Sequence, residues 1–188
     1  MLAGGRSARF GSDKLQAELD GVPLLHHAVL RIAEIADDVV VVLPPSAGGE
    51  GLPPGARVAN DATEGEGPLA GLHAGLLAAA GSDAAVVIGG DMPDVRTPVV
   101  AEMLRVLGEA PVDAVVLAEG ERPRPLPLVV RTGPAADAVH SLLHVGRRRL
   151  RDVVDVLRIA VIDEGTWTAL DPERRTLLDV DEPEDLTR

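Results

Sequence analysis

The first fourteen residues, MLAGGRSARFGSDK, combine glycines with positively charged side chains. Gly4 and Gly5 allow positive φ angles and a close approach to the backbone, so successive N–H groups here can form a nest for an anion. Arg9 and Lys14 add positive charge, and Lys14 is the single lysine among 18 basic residues. A lysine ammonium is a compact point charge, unlike the planar guanidinium of arginine. We therefore expect a phosphate-binding loop, with an ordinary solvated turn as the alternative.

A second candidate lies in VVIGGDMPDV, residues 86–95, where an apolar run ends in two glycines and then delivers Asp91. A carboxylate after a strand is well placed for Mg²⁺, which takes oxygen ligands and often shares them with substrate phosphates. Asp91 is therefore our candidate metal ligand. Capping of the next turn is its alternative role, and Asp94 would serve equally well for that.

A third candidate is Asp61, which follows a short predicted strand. Downstream of it, Gly67, Gly71 and Gly75 recur at every fourth position of GPLAGLHAGL. This spacing predicts a helix that packs closely against a neighbouring element. Spacing alone assigns no role to Asp61.

Three further polar segments could contact a ligand or simply be solvated. Arg122 and Arg124 lie among prolines just before a predicted strand, where they would either bind an anionic substrate or face solvent. The basic run GRRRLRD, residues 146–152, is more typical of a charged helix face. Asp179 and Asp181 would either line a cation site or begin a final helix, whose first turn favours acidic residues.

Composition excludes several classes of protein. The net charge of −12 over 188 residues argues against general binding to nucleic acid or to an anionic membrane. The chain has no cysteine, which excludes disulfides, thiolate metal sites and cysteine nucleophiles. Its histidines lack a metal-binding spacing, and no Gly-x-Ser-x-Gly elbow supplies a serine nucleophile. With neither a membrane-spanning run nor a signal peptide, we expect a cytoplasmic protein.

The apolar pattern alternates between strand and helix. Near-continuous apolar runs predict buried strands at residues 37–43, 83–90, 112–118, 126–131 and 157–162. Apolar residues at the helical period predict helices at residues 23–36, 67–80, 97–109 and 134–144. Thr97 is the predicted N-cap of the third helix.

This alternation predicts an α/β protein with a mostly parallel central sheet between two layers of helices. The Pro- and Gly-rich segment 44–55 is a predicted surface loop. Nothing in the pattern requires a second domain, so we expect one domain over residues 1–188. In such sheets ligands bind beyond the carboxyl ends of the strands, which is where Asp61 and Asp91 are predicted to lie.

Four segments, in this order, resemble the molybdenum cofactor guanylyltransferase family: LAGGRSARFGSDK, DATEGEGPLAGL, GGDMP and DVDEPEDL. The resemblance implies a three-layer α/β/α nucleotidyltransferase (Rossmann-like) fold. It also implies Mg²⁺-dependent transfer of GMP from GTP to the phosphate of molybdopterin, with release of pyrophosphate.

By position, the resemblance also implies roles for individual residues. The nucleotide would be bound by Leu2, Ala3, Gly4, Gly5, Lys14, Asp61 and Asp91. Lys14 and Arg9 would offset the charge of the leaving pyrophosphate, and Asp91 would also bind Mg²⁺. Arg122, Arg124 and Asp181 would lie on the pterin side of the site.

The sequence departs from the family pattern in three places. Only Met1 and Leu2 precede Ala3 where the family has a fuller first strand, so we expect the natural start to lie upstream. Leu43-Pro44-Pro45 stands where the family often has an asparagine that contacts the nucleotide. Asp179 and Asp181 stand where asparagine is common, and their carboxylates would repel a pterin phosphate unless a cation intervenes.

Other functions stay open at this point. One is a CTP-dependent molybdopterin cytidylyltransferase, although Gly4 favours guanine because those relatives open with LAAG. Another is transfer of GMP to a different phosphorylated acceptor, and a third is a non-catalytic regulator that binds GTP. The expected partners are GTP and molybdopterin, with transient contact to cofactor-synthesis or acceptor proteins.

Overall fold

The computed structural model describes residues 1–3, 16–45, 47–60 and 67–180. Eight strands are β1 (Glu18–Leu19), β2 (Val22–Pro23), β3 (Val39–Leu43), β4 (Ala56–Asn60), β5 (Ala84–Val87), β6 (Ala114–Glu119), β7 (Arg122–Arg131) and β8 (Ile159–Ile162). Six helices are α1 (Leu24–Ala33), α2 (Pro68–Ala78), α3 (Thr97–Glu109), α4 (Thr132–His144), α5 (Leu150–Val156) and α6 (Glu164–Leu170), followed by a 3₁₀ turn, Arg175–Leu177.

The central sheet is joined in its middle by the N-terminal segment, residues 1–3. Leu2 forms parallel bridges with Val42 of β3 and with Gly89 just after β5. The order across the sheet is therefore β4, β3, segment 1–3, β5, β7, β6, β8. Only β7 pairs antiparallel with its neighbours in this sheet. The predicted mostly parallel sheet is confirmed among the described residues.

Alternation of side chains along the strands builds two cores, one on each face of the sheet. One face buries Ala3, Val41 and Ile88 beneath α1, and its continuation packs α3 and Trp167 of α6 against β6 and β7. The other face buries Val87 and Val116 beneath α2, α4 and α5. The molecule is therefore the three-layer α/β/α structure that the strand–helix alternation predicts. In the described part of the chain, no helix is long and apolar enough to span a bilayer.

The glycine spacing in α2 reflects close packing on the sheet, as predicted. A Cβ atom at Gly75 would lie 3.1 Å from Cγ2 of Val42, and one at Gly71 would lie 3.7 Å from side-chain atoms of Leu2 and Val42. The missing side chains let the helix backbone approach β3 and segment 1–3. Close packing of the helix therefore accounts for Gly71 and Gly75.

Strand β7 begins earlier than the predicted start at residue 126. Its first half, RPRPLP, carries three prolines, which cannot donate ladder hydrogen bonds. β5 pairs only with residues 128–131 of β7, and the pairing with β6 shifts register between Val116 and Ala118. The prolines therefore lie where fewer ladder bonds are required. Because β7 runs antiparallel, this half projects past the carboxyl end of β5.

The predicted N-cap of α3 is wrong by one residue. Arg96 occupies the N-cap position, and Thr97 is the first residue of the helix. Proline is tolerated in the first helical turn, so Pro98 does not prevent this earlier start. The Thr97 hydroxyl instead donates to Oε2 of Glu34 at 3.0 Å, which links the start of α3 to the end of α1.

Candidate active site

The candidate site lies at the carboxyl edge of the sheet, where segment 1–3, β4 and β5 all end. Three chain segments leave this edge, from Ala3, from Asn60 and from Ile88. The first two lead directly into predicted site residues that lie outside the described part of the chain: Gly4, Gly5, Arg9, Lys14 and Asp61. Asp181, just past the last described residue, lies outside it as well. The roles of these six residues stay predictions.

Leu2 and Ala3, the described part of the predicted nucleotide loop, are held by backbone hydrogen bonds on both sides. Leu2 N–H donates to the carbonyl of Ile88 at 2.9 Å, and its carbonyl accepts from Gly90 N–H at 2.9 Å. Ala3 N–H donates to the carbonyl of Val42 at 2.9 Å. The loop that follows therefore starts from a fixed point directly beside Gly90 and Asp91.

Asp91 follows β5, and the position of its carboxylate depends on Gly89. A Cβ atom at Gly89 would lie 2.2 Å from Oδ1 of Asp91, so the carboxylate occupies the space that a side chain would need. Gly89 N–H also points at Sδ of buried Met92, 3.4 Å away. Glycine at position 89 is therefore a requirement for this orientation of Asp91.

The other aspartate of this loop has a different environment. The Asp94 carboxylate lies 3.2 Å from the Arg96 guanidinium, and the side chains of Arg31 and Arg175 approach it at 4.0 and 3.9 Å. Asp94 therefore belongs to a cluster of ion pairs at the start of α3. This placement leaves Asp91 as the better candidate of the two for the site.

The C-terminal part of the described chain docks onto the same edge. Val180 N–H donates to the Asp91 carbonyl at 3.0 Å. One residue earlier, Oδ2 of Asp179 accepts a hydrogen bond from Nη2 of Arg124 at 3.1 Å. Sequence alone left Asp179 between a cation site and the start of a helix, and the structure instead pairs it with an arginine.

Arg124 is held between two carboxylates at the projecting half of β7. Besides Asp179, Oε2 of Glu119 accepts from its Nη1 at 3.2 Å, and the Arg124 side chain is 34% exposed. Its Nε atom is buried without a hydrogen-bond partner among the described residues. Arg122, two residues earlier, is exposed at the start of the strand. The structure thus brings Arg124 and Asp179 together with the Asp91 loop.

The basic run at residues 146–152 supports the start of α2. Leu69 N–H donates to the Arg148 carbonyl at 3.3 Å, and Gly67, at φ +86°, passes close to the same carbonyl. Arg147 forms an ion pair with Asp152 at 3.6 Å. Only Leu150–Val156 is helical, so Arg147 and Arg148 precede the helix rather than form its charged face.

The candidate magnesium ligand among the described residues is a single carboxylate, that of Asp91. The described residues contain no group of three His, Asp or Glu side chains arranged to hold a metal by themselves. Mg²⁺ is commonly bound through one or two carboxylates together with substrate phosphates and water, so a single carboxylate such as Asp91 suits it.

His73 and His140 have ring centroids 5.6 Å apart, and burial, with the nearby His140, lowers the pKa of His73.

Two features of the site were missed by the sequence reasoning. The need for glycine at position 89 had a signal, the GG pair directly before Asp91. Arg124 and Asp179 are 55 residues apart in the sequence, and no local pattern predicts that they pair.

Comparisons with known proteins agree with this arrangement. A sequence model of the MobA-like NTP transferase domain matches residues 1–160. A probable molybdenum cofactor guanylyltransferase of Chloroflexus aggregans is 34% identical, over 99% of this chain and 89% of its own length. A molybdenum cofactor guanylyltransferase of Burkholderia vietnamiensis is 35% identical, over 80% of this chain and 78% of its own.

Solved structures share the fold. Molybdopterin-guanine dinucleotide biosynthesis protein A from Archaeoglobus fulgidus superposes with a TM-score of 0.81 at 24% identity, covering 100% of this chain and 93% of its own. The 2-C-methyl-D-erythritol 4-phosphate cytidylyltransferase from Thermus thermophilus gives a TM-score of 0.70 at 20% identity, covering 99% and 93%. The predicted nucleotidyltransferase architecture is confirmed.

Proposed function

The chain belongs to the family of MobA-like NTP transferase domains, and on that premise we propose that it transfers GMP from GTP to the phosphate of molybdopterin. The observation that carries this proposal is the Asp91 carboxylate, seated over Gly89 beside the start of the glycine-rich loop. The names of relatives that match across nearly the whole chain support guanine as the base and the molybdenum cofactor as the acceptor.

The reaction balances without a covalent enzyme intermediate. An oxygen of the molybdopterin phosphate attacks the α-phosphorus of GTP and forms a new P–O bond. The bond from the α-phosphorus to the oxygen that bridges to the β-phosphorus breaks, and its electron pair leaves with pyrophosphate. Such a transfer needs the two phosphates to be positioned and their charge neutralised.

We assign separate parts of this work to the predicted site residues. Backbone groups of Leu2, Ala3, Gly4 and Gly5 would bind the nucleotide, with Asp61 completing the GTP site. Lys14 and Arg9 would face the phosphates and stabilise the charge that gathers on the leaving pyrophosphate. Asp91 would hold Mg²⁺, which when bound supplies Lewis-acid stabilisation of the phosphate oxygens.

On the acceptor side, Arg124 binds Asp179, the residue before Val180, whose N–H donates to the Asp91 carbonyl. Arg122 and Asp181 would contribute to the same side. Oδ2 of Asp179 already accepts a hydrogen bond from Nη2 of Arg124 at 3.1 Å. A molybdopterin phosphate that reaches this guanidinium would compete with the Asp179 carboxylate for the same N–H groups. Acceptor binding is therefore proposed to include exchange of one anionic partner of Arg124 for another.

We also propose that the reaction takes place in the cytoplasm, where GTP is available. Transient contact with proteins that make or receive the cofactor would follow from the role of the product.

Calorimetric titration with GTP, CTP and ATP, each with Mg²⁺, tests the nucleotide half of this proposal. We expect binding selective for GTP, weakened by Asp91→Asn and retained in Asp94→Asn, because Asp94 lies in the separate ion-pair cluster. Selectivity for CTP would instead favour the cytidylyltransferase alternative. Equal binding by wild type and Asp91→Asn would contradict the role given to Asp91.

A further inference from the structure

The turn between β6 and β7 lies at the carboxyl edge of the sheet, the edge that carries the candidate site. β6 is parallel to β8, and β7 returns antiparallel to it, so the loop Gly120-Glu121 lies at the end where β8 runs into α6. Glu119, the last residue of β6, accepts a hydrogen bond from Nη1 of Arg124 at 3.2 Å. The placement of Arg124 therefore involves this turn as well as Asp179.

Helix α6 contacts the backbone on both sides of Glu119. Before it, the Ala118 carbonyl accepts a hydrogen bond from Nε1 of Trp167 at 2.7 Å. After it, Gly120 N–H donates to Oε2 of Glu164 at 2.5 Å. Glu119 is thus held from two points that lie about one turn apart on α6.

These two contacts differ in how much of the fold depends on them. Trp167 is fully buried and packs with Val115 and Leu117, so it cannot be replaced without loss of core packing. The Glu164 side chain is 31% exposed, and water can satisfy a backbone N–H at an exposed turn. Removal of the Glu164 carboxylate should therefore free the turn without unfolding the chain.

Arg174 holds the other oxygen of the Glu164 carboxylate. Its guanidinium pairs with Oε1 of Glu164, and its Cζ atom lies 5.4 Å from the centroid of the Trp167 ring. The Gly120 hydrogen bond and then the Arg174 pair lower the pKa of Glu164 from its ordinary value of 4.5. The carboxylate is therefore ionised at neutral pH, and an ionised acceptor makes a stronger hydrogen bond than a neutral one.

We propose that Glu164 is a positioning residue for the acceptor: it fixes the turn that carries Glu119 and thereby orients the Arg124 guanidinium toward the acceptor phosphate. The inference rests on the function proposed above, in which that phosphate reaches Arg124. The Glu164 carboxylate bonds Gly120 and Arg174 rather than Arg124, so it acts through the backbone next to Glu119.

The test compares wild type with Glu164→Ala, Glu164→Gln and Glu102→Ala. Alanine removes both contacts of the carboxylate. Glutamine keeps an oxygen that can accept from Gly120 N–H but removes the charge that pairs with Arg174. Glu102→Ala is the matched control, because it also removes a glutamate that binds an arginine, Arg105 of α3.

Steady-state kinetics give the first readout. We expect Glu164→Ala to raise KM for molybdopterin about fivefold or more, with kcat and KM for GTP within about twofold of wild type. Glu164→Gln should recover most of this loss, and Glu102→Ala should behave as wild type. An unchanged KM for molybdopterin in Glu164→Ala, or a loss that falls on kcat and KM for GTP alike, would overturn the proposal.

Proton exchange at Gly120 N–H and Arg124 Nε–H, followed by NMR in the absence of substrates, gives the second readout. Nε of Arg124 is buried without a hydrogen-bond partner in the described part of the chain, so its proton reports whether the guanidinium stays in place. We expect both protons to exchange about tenfold faster in Glu164→Ala and at the wild-type rate in Glu102→Ala.

Faster exchange at Gly120 alone would show that Arg124 is held without Glu164, which would also overturn the proposal. The two readouts separate this inference from the function on which it rests. A wild-type protein that transfers no GMP would contradict the proposed function, whereas the exchange of the Arg124 proton would still decide whether Glu164 holds that side chain.

Discussion

The two edges of the central sheet are built from the same strands but carry different chemistry. At the carboxyl edge, β5 runs into glycines and Asp91, and Arg124 and Asp179 pair beside them. At the amino edge, the same strands enclose a mostly apolar cavity, and the Met1 amino group lies buried beside it. The difference teaches that polar groups gather where these strands end, whereas apolar side chains surround the points where they begin.

Segment 1–3 links these two edges. Met1 reaches the cavity, Leu2 bridges β3 and β5, and Ala3 leads into the glycine-rich loop. We expect substitutions at the carboxyl edge to lower turnover, whereas changes at the amino edge should alter stability.

The largest effect is expected from Asp91→Asn. The amide removes the negative charge that would hold Mg²⁺ against the phosphates, so we predict a fall in kcat of roughly 10²-fold or more. Steady-state release of pyrophosphate measures it, and circular dichroism checks that the fold is kept. Asp94→Asn is the matched control and should retain most of the activity.

Next in size is Gly89→Ala. The added Cβ would lie 2.2 Å from Oδ1 of Asp91, so the carboxylate must move, and we predict a roughly tenfold or greater loss of turnover. Gly108→Ala is the control, because a Cβ there meets nothing within 4 Å and alanine favours the helix. Full activity in Gly89→Ala would show that the orientation of Asp91 is unimportant.

At the amino edge we predict a pH-dependent stability. The Met1 amino group has a pKa of about 6 in the folded chain and 8.0 as its ordinary value. The unfolded chain therefore binds more protons between pH 6 and pH 8, and the free energy of unfolding should rise across this window by roughly 2 to 3 kcal/mol. Urea unfolding at both pH values measures the difference.

Acetylation of Met1 isolates this contribution, since the lowered pKa of His73 acts in the same direction near its own range. The acetylated protein should lose most of the rise between pH 6 and pH 8. An unchanged pH profile after acetylation would mean that the ammonium is better solvated than its burial indicates.

The smallest expected effect is that of Asp179→Asn. It removes one of the two carboxylates that hold Arg124, and leaves Glu119 at 3.2 Å. Because an anionic acceptor would then face less competition for the guanidinium, KM for molybdopterin should fall a few-fold with kcat nearly unchanged. A rise in KM would indicate that Asp179 positions Arg124 rather than competing with substrate.

The sequence was sufficient to predict the architecture because burial on both faces of a parallel sheet leaves near-continuous apolar runs such as Val39–Leu43. The same logic placed Asp91 after a strand and assigned Gly71 and Gly75 to helix packing. Each of these features depends on a few residues that are neighbours in the sequence. The positions of Lys14, Arg9 and Asp61 stay predictions, since they lie outside the described part of the chain.

Other features depend on contacts that a local pattern does not contain. Arg124 meets Asp179 only because β7 runs antiparallel and the C-terminal segment returns to Asp91. The predicted strand began at residue 126 and left out Pro123 and Pro125, which β7 accommodates because β5 is too short to pair with them. Thr97 had the residue type of an N-cap, yet a contact with Glu34 on another helix engages its hydroxyl.

The central claim, guanylyl transfer at the carboxyl edge, is tested most directly with GTP labelled at the α-phosphate. The protein would be incubated with labelled GTP, molybdopterin and Mg²⁺, and the label followed together with pyrophosphate. We predict that the label enters a molybdopterin dinucleotide with one pyrophosphate released per transfer, and that Asp91→Asn loses both. Binding of GTP without transfer, or faster transfer from CTP, would contradict the account.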